Sequence, residues 1–411
     1  MDSTTPEQTI YDAIVIGGGP VGLAAAVALA QAGVTVALIA RKKPYPDNRT
    51  TALLGGTIDF LRQLDVWRRC EADAAPLRTM RLVDSTSRLI RAPEVRFAAD
   101  EIGLDAFGYN LANRHLVAAL EARAAGIDRI ARCDDDADSV EIEADRVTVR
   151  TRGGATLRGR LIAGADGRQS ICRAAAGIGV DRRPLKQTAL TFNIAHARPH
   201  HDTSTEFHTA NGPCVFVPLP GDHSSVVWVT TPADAARLMA LDDAALAAEA
   251  ERMMYSMLGR LTVAPGRHSF PLAIEQPQRF AGNRVVLLGE AAHVLPPIGA
   301  QGLNLGLRDA ADIAGIVAEA ITRGEDIGGD ATLARFDRTR RSDIVSRTLA
   351  IDFANRTLLS ALLPVQLARA AGLQLLGAVG PLRRIAMREG LSPSWRRPPS
   401  RTAALSESGS K

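Results

Sequence analysis

Gly17, Gly19 and Gly22 stand in the stretch GGGPVG, directly after the apolar run IYDAIVIG and at the start of PVGLAAAVALAQAG. No other feature limits the fold so tightly. The β-branched run reads as a buried parallel strand, and the alanine-rich stretch as a helix closed by Gly33. VTVALIA then reads as a second parallel strand. A GxGxxG turn alone is a weak signal, because glycines collect in many turns. Set between a strand and a helix, in a unit of about thirty residues, it points to a dinucleotide. Gly17 allows the tight turn, Gly19 lets a pyrophosphate approach the backbone, and Gly22 lets helix and strand pack closely. The free N–H groups at the helix start then face the phosphates. The second strand ends at Ala40, where Asp or Glu would hold ribose hydroxyls, and Arg41 follows. Arg41 reads either as a partner for a 2′-phosphate or as one of several groups around the adenosine end.

Two later turns have the same strand-then-helix setting. GADGRQSICR places Asp166 at the carboxyl end of an apolar strand, where open α/β sheets bind ligands. Cys172 in that stretch reads as core. GEAAHVLPPIGAQGLN follows the strand RVVLL and is far longer than the roughly two to six residues a plain connection needs. Glu290 offers an acceptor to a hydroxyl-rich ligand, and Gly299 and Gly302 permit close backbone approach. The helix from Leu303 starts with exposed N–H groups suited to an electron-rich ring carbonyl. His293 reads as a packed or capping histidine.

Together the three stretches resemble the FAD-dependent aromatic hydroxylases of the para-hydroxybenzoate hydroxylase fold, over nearly the whole chain. Within that family PPIGAQGLNLGLRDA and RTTALLGGT look most like the ubiquinone-biosynthesis hydroxylases. This chain carries Glu290 where the family has Asp. The resemblance implies that Glu290 holds the ribityl chain of FAD and that the flavin ring lies near Pro296 to Asn304, including Gly299, Gly302 and Leu303. It also implies that Asp166 serves the pyrophosphate and that Arg49 and Arg114 contact FAD. NAD(P)H is the co-substrate, O2 the oxidant, and a polyprenylated phenol the substrate. A non-catalytic FAD-binding scaffold, and a flavin reductase or halogenase using Lys186, remain as alternatives.

The implied fold class is α/β: a Rossmann-like FAD-binding domain with an inserted antiparallel β-sheet substrate domain and a helical C-terminus. The expected boundaries are 1–185 for the first part of the FAD-binding domain, 186–275 for the antiparallel domain and 276–392 for the return and C-terminal helices. A disordered tail is expected over 393–411. Residues 138–163 alternate polar and apolar, as a meander does, and one helix is expected from about Ala233 to Leu258.

Aromatics make up 4% of the chain, which argues against a nucleic-acid surface of stacked bases. Cys70, Cys133, Cys172 and Cys214 form no CxxC pair and suit a reducing compartment. His196, His200 and His201 lack the helical spacing of a metal pair. The polar start MDSTTPEQTI has no apolar signal core, so a cytoplasmic protein is expected. The segment Leu358 to Leu382 is unusually apolar and is flanked by Arg383, Arg384, Arg396 and Arg397. It is the candidate for peripheral contact with the inner membrane face, the alternative being substrate delivery within a biosynthetic complex.

Overall fold

The computed structural model describes residues 9–42, 49–86, 91–297, 299–360 and 362–391. The expected tail, 393–411, lies outside the described residues, as do Arg396 and Arg397. β1 (Ile10–Ile16), α1 (Pro20–Gln31) and β2 (Val36–Ile39) form the opening unit, with the two strands parallel. α1 is buried from Gly22 to Ala30 and carries no charge, which is why its sequence is apolar all round. Next come β3 (Thr50–Leu54), α2 (Gly55–Gln63), β4 (Ala75–Pro76), β5 (Thr79–Asp84), β6 (Val95–Ala98), β7 (Gly108–Ala112) and α3 (Asn113–Ala125). β8 (Ile130–Cys133), β9 (Ala137–Ile142), β10 (Val147–Thr151), β11 (Thr156–Gly164) and the short α4 (Ile171–Ala175) follow.

The middle of the chain supplies β12 (Val180–His196), β13 (Thr203–His208), β14 (Pro213–Leu219) and β15 (His223–Thr230). α5 (Pro232–Ala240), α6 (Asp243–Met253), β16 (Leu261–Val263) and β17 (His268–Pro277) complete it. The single helix expected from Ala233 to Leu258 is thus two. Leu241 is extended, and the Asp242 side chain accepts from the Ala245 N–H at 2.7 Å to start the second helix. β18 (Ala281–Gly282) and β19 (Val285–Leu287) lead into α7 (Gln301–Thr322), α8 (Asp330–Leu359), α9 (Leu363–Ala378) and α10 (Gly380–Leu391).

Among the described residues these strands form three sheets. The first runs β18-β19-β11-β1-β2-β8, with β10 and β9 attached beside β11. β11 changes partner along its length. Along one edge its first half pairs antiparallel with β10, as the alternating sequence predicts, and its apolar second half pairs parallel with β19, while β1 pairs parallel along the other edge from Arg158 to Gly164. The second runs β16-β12-β15-β14-β13-β5-β6, with β17 on β12. It therefore departs from the expected 186–275 unit, because its far edge is β5 and β6, drawn from residues 79–98, and because β12 starts at Val180. The β13–β5 pairing is also parallel, so the sheet is mixed. β3, β7 and β4 make the small third sheet.

Large apolar side chains are exposed mainly at the C-terminal end. Leu349, Phe353, Leu362, Leu363, Leu367, Leu375, Val379, Leu382 and Ile385 all face outward. Among the described residues no single helix is long and apolar enough to cross a membrane. α8 and α9 together reach that length and apolarity, but the chain bends by 116° between them.

Candidate cofactor and substrate site

The register of the first sheet brings the three turns together. Ile16 sits abreast of Gly164, and Gly164 abreast of Leu287, so all three strands deliver their next residues to one edge. Gly17 turns with φ +123°, and a Cβ there would lie 2.2 Å from the Ala165 carbonyl oxygen. A Cβ on Gly22 would lie 2.0 Å from the Gly17 oxygen. Both glycines are needed for close packing. Gly19 differs: its backbone is extended and a Cβ would meet nothing within 4 Å. It is the N-cap of α1 and has no side chain to occupy the first N–H groups, which stay available to an anion.

Asp166 accepts from the Cys172 N–H at 3.2 Å through one oxygen, while the other is buried without a partner. Cys172 is buried, and burial followed by the nearby Asp166 carboxylate pushes its thiol well up, as a core cysteine requires.

The long loop is held from behind by a buried ion cluster. Asp309 of α7 accepts from the Gly289 N–H at 2.8 Å and bonds His293 Nε2 at 2.8 Å. Its other oxygen accepts from Arg340 Nε at 2.6 Å. Arg340 also reaches Asp312 at 2.7 Å and Asp343 at 3.0 Å. Arg340, Asp309 and Asp343 have no exposed side-chain surface. Burial alone would lower the Arg340 pKa, yet the three carboxylates hold it above the ordinary arginine value. Asp343 in turn accepts from Arg347, which donates to Gln301 at 2.9 Å. Both ends of the loop are thereby fastened through the cluster. His293 is the packed histidine expected from its sequence setting.

Asn304 turns inward. It accepts from the Leu54 N–H at 2.9 Å and from Thr57 at 2.7 Å, and donates to Ala52 and Ala300 carbonyls at 2.8 and 2.7 Å. It bolts the loop to β3 and α2 and lies off the cavity wall.

In front of the loop lies a cavity of about 730 Å³. Of the residues singled out in the sequence, Gly19, Gly22, Arg49, Glu290, Pro296, Gly299, Gly302 and Leu303 line it. Gly17, Arg41, Arg114, Asp166 and Asn304 do not. Arg41 pairs with Asp136, and Arg114 donates to His115 at 3.2 Å. The Glu290 side chain is 57% exposed and stands 3.5 Å from Arg168. α7 starts behind Ala300, whose φ of +53° aims the helix start at the cavity without a side-chain cap.

The other half of the cavity is apolar and came from residues the sequence did not single out. Met80, Leu82, Phe97, Phe107, Val215, Val217, Val227, Phe270, Leu272 and Met387 form it. The signal was the alternation in PCVFVPL: Val215 and Val217 face the cavity, whereas Cys214 and Phe216 enter the core beneath α6. Asn110 fixes the seam by donating to the Pro218 carbonyl at 2.8 Å, and Thr50 donates to Ser225 at 2.7 Å.

Residues 10–348 match the family model described as FAD binding domain. The chain belongs to this FAD-binding domain family. FAD fits the polar end of the cavity on two local grounds: the open side of Gly19 and the uncapped start of α1. Among relatives, this FAD-binding chain is 32% identical to ubiquinone hydroxylase UbiL of Rhodospirillum rubrum, covering 94% of this chain and 91% of that protein. It is 29% identical to the 3-demethoxyubiquinol 3-hydroxylase of Escherichia coli, covering 92% and 97%. The structure of p-nitrophenol 4-monooxygenase PnpA from Pseudomonas putida DLL-E4 superimposes with a TM-score of 0.78, covering 95% of this chain and all of that one, at 21% identity. That likeness is one of fold, and it is the expected α/β fold with a Rossmann-like FAD-binding domain, a strand-built partner unit and C-terminal helices.

Proposed function

We propose that this chain is an FAD-dependent monooxygenase that hydroxylates the aromatic ring of a polyprenylated phenol in ubiquinone biosynthesis, using NAD(P)H and O2. The observation that carries it is one continuous cavity whose polar end is built from the dinucleotide turn and whose other half is apolar. The names of the relatives supply the substrate class. Bound FAD supplies the electron transfer from NAD(P)H to O2 and the oxygen insertion. The protein's own residues bind, orient and exclude water. Gly19 and the start of α1 receive the pyrophosphate, Glu290 accepts from ribityl hydroxyls, and Arg49 adds a cation at the cavity wall. The uncapped start of α7 faces the ring carbonyl. Asp166 shapes the turn beside the cavity by accepting from the Cys172 N–H, and acts on the cofactor through that turn. The strand unit around 186–275 serves the substrate. A halogenase reading is disfavoured, because Lys186 is exposed and lies off the cavity wall. Purified holoenzyme given NADH or NADPH and a polyprenylphenol should yield a product heavier by one oxygen atom. Nicotinamide oxidation without any oxygenated product would instead support a flavin reductase.

The same reading places the protein at the inner face of a membrane, since a polyprenylated phenol dissolves poorly in water. The exposed apolar side chains between Leu349 and Ile385 support this. Arg383 drops out of the expected basic flank, because it donates to Glu101 at 2.8 Å and to the Gly377 carbonyl at 2.7 Å. Changing it would undock α10 and confuse a binding test. The better variant is Phe353→Ser with Ile385→Ser, at positions 73% and 58% exposed. Each fully buried apolar side chain contributes about 1.5–3 kcal/mol to such a transfer, so the double variant should float with anionic liposomes at least about tenfold less well than wild type. Equal flotation of the two would favour delivery of the substrate by a partner protein.

A further inference from the structure

The ionisable side chains on the cavity wall, among the described residues, are Arg49, Arg81, Arg168, Glu206, Glu290 and His293. Most are accounted for at the cofactor end or are turned away. Glu290 and Arg168 face each other. His293 is locked on Asp309. Arg81 reaches toward the Met257 sulfur at 3.4 Å, under the sheet. Glu206 is different, because it is a carboxylate set in the apolar half.

Its position follows from strand register. On β13, Thr205 and Phe207 are buried, with Phe207 in the core beneath α6, so Glu206 between them faces the other way. Glu206 sits abreast of Val215 on one side and Leu82 on the other, and both line the cavity. Burying a carboxylate among such neighbours costs free energy unless it is bonded. One oxygen is bonded: His208, two residues on and on the same face, lies with Nε2 at 3.0 Å from Oε1. With Glu206 ionised, Nε2 must carry the proton, and the imidazole then fixes the carboxylate's orientation. The side chain remains 19% exposed, so Oε2 is not sealed inside the protein. An acceptor held in place within an apolar chamber suits a ligand that is apolar except for one hydroxyl.

We propose that Glu206 is the acceptor for the phenolic hydroxyl of the substrate, and that it selects ring substrates bearing a free hydroxyl over their ethers. This rests on the phenol reading given above. A hydrogen bond from the hydroxyl to the carboxylate leaves more electron density on the oxygen and so in the ring, which favours attack at the ring carbons beside and opposite it. No bond is broken in this step. His208 acts as a positioning residue that holds the carboxylate.

The test uses the FAD-loaded protein and a short-chain prenylphenol alongside its O-methyl ether. Binding is read from the change in flavin absorbance, and turnover from oxygenated product. A polar site left unpaired discriminates strongly, so wild type should bind the phenol about ten- to a hundredfold more tightly than the ether. Glu206→Gln and Glu206→Ala should bring that ratio to within about threefold, chiefly by weakening the phenol, with the ether bound as before. Variants that keep the wild-type ratio overturn the assignment. So does an equal loss of affinity for both ligands, which is what a purely structural carboxylate would give. If no phenol perturbs the wild-type flavin, the phenol reading itself fails and this inference with it.

Discussion

Gly19→Val yields a folded protein that purifies without its yellow cofactor. The residue is already extended, at φ −75° and ψ 172°, which any amino acid adopts, and a Cβ there meets no atom within 4 Å. The added side chain therefore costs the free protein only a weaker N-cap, about 1 kcal/mol. The space it enters is the space assigned to the pyrophosphate, so FAD affinity should fall at least about a hundredfold, or roughly 2.7 kcal/mol. Gly22→Val is the contrasting control. Its Cβ would lie 2.0 Å from the Gly17 carbonyl oxygen, so it should fail by unfolding rather than by losing ligand. Far-ultraviolet circular dichroism and flavin absorbance separate the two outcomes. A Gly19→Val protein that keeps full flavin absorbance would remove the phosphate site from this turn.

Asp309→Asn should be among the most destabilising single changes available. The carboxylate is fully buried and answers three donors at once: the Gly289 N–H, His293 and Arg340. Removing its charge takes one of the three carboxylates from the fully buried Arg340 guanidinium, leaving Asp312 and Asp343. Breaking a buried pair in this way costs about 3–5 kcal/mol, which for a chain of this size lowers the melting temperature by on the order of 5–10 °C. Arg340→Met in the Asp309→Asn background should destabilise further, because Asp312 and Asp343 then lose their shared cation. A single variant melting within about 2 °C of wild type would mean that the cluster does not hold the loop.

The first strand–turn–helix was readable because one short segment satisfies every local rule at once. The meeting of the three turns was also foreseeable, since each follows an apolar strand and parallel strands end on one edge. The second sheet was less so. β5, TMRLVD, is half-buried along its whole length, so it shows no clean alternation. Its partner β13 lies more than a hundred positions away in the chain, and nothing local announces that pairing. Asn304 sat in a loop whose glycines suggested ligand contact, but its amide is used up by four protein groups that come from β3, α2 and the loop itself. Arg383 looked like surface charge because Glu101, its partner, is far away in sequence. Glu206 was invisible for a related reason: a glutamate on a strand reads as a solvated face until the other walls of the cavity, distant in sequence, are known.

The second sheet's edge has a consequence for how the chain comes off the ribosome. β5 and β6 are made early, but β13, the strand that β5 pairs with, emerges only after β8 to β12 have been synthesised. The first sheet waits as well, because β19 completes it alongside β11 after the whole middle segment. The second sheet's last strand ends at Pro277 and the first sheet's at Leu287, so neither sheet is complete until the whole middle segment has been made. Such long-range pairings slow folding and keep apolar strand faces open to wrong partners meanwhile. Mature packing therefore arrives late and nearly all together, and the half-finished chain is the form most in need of chaperones.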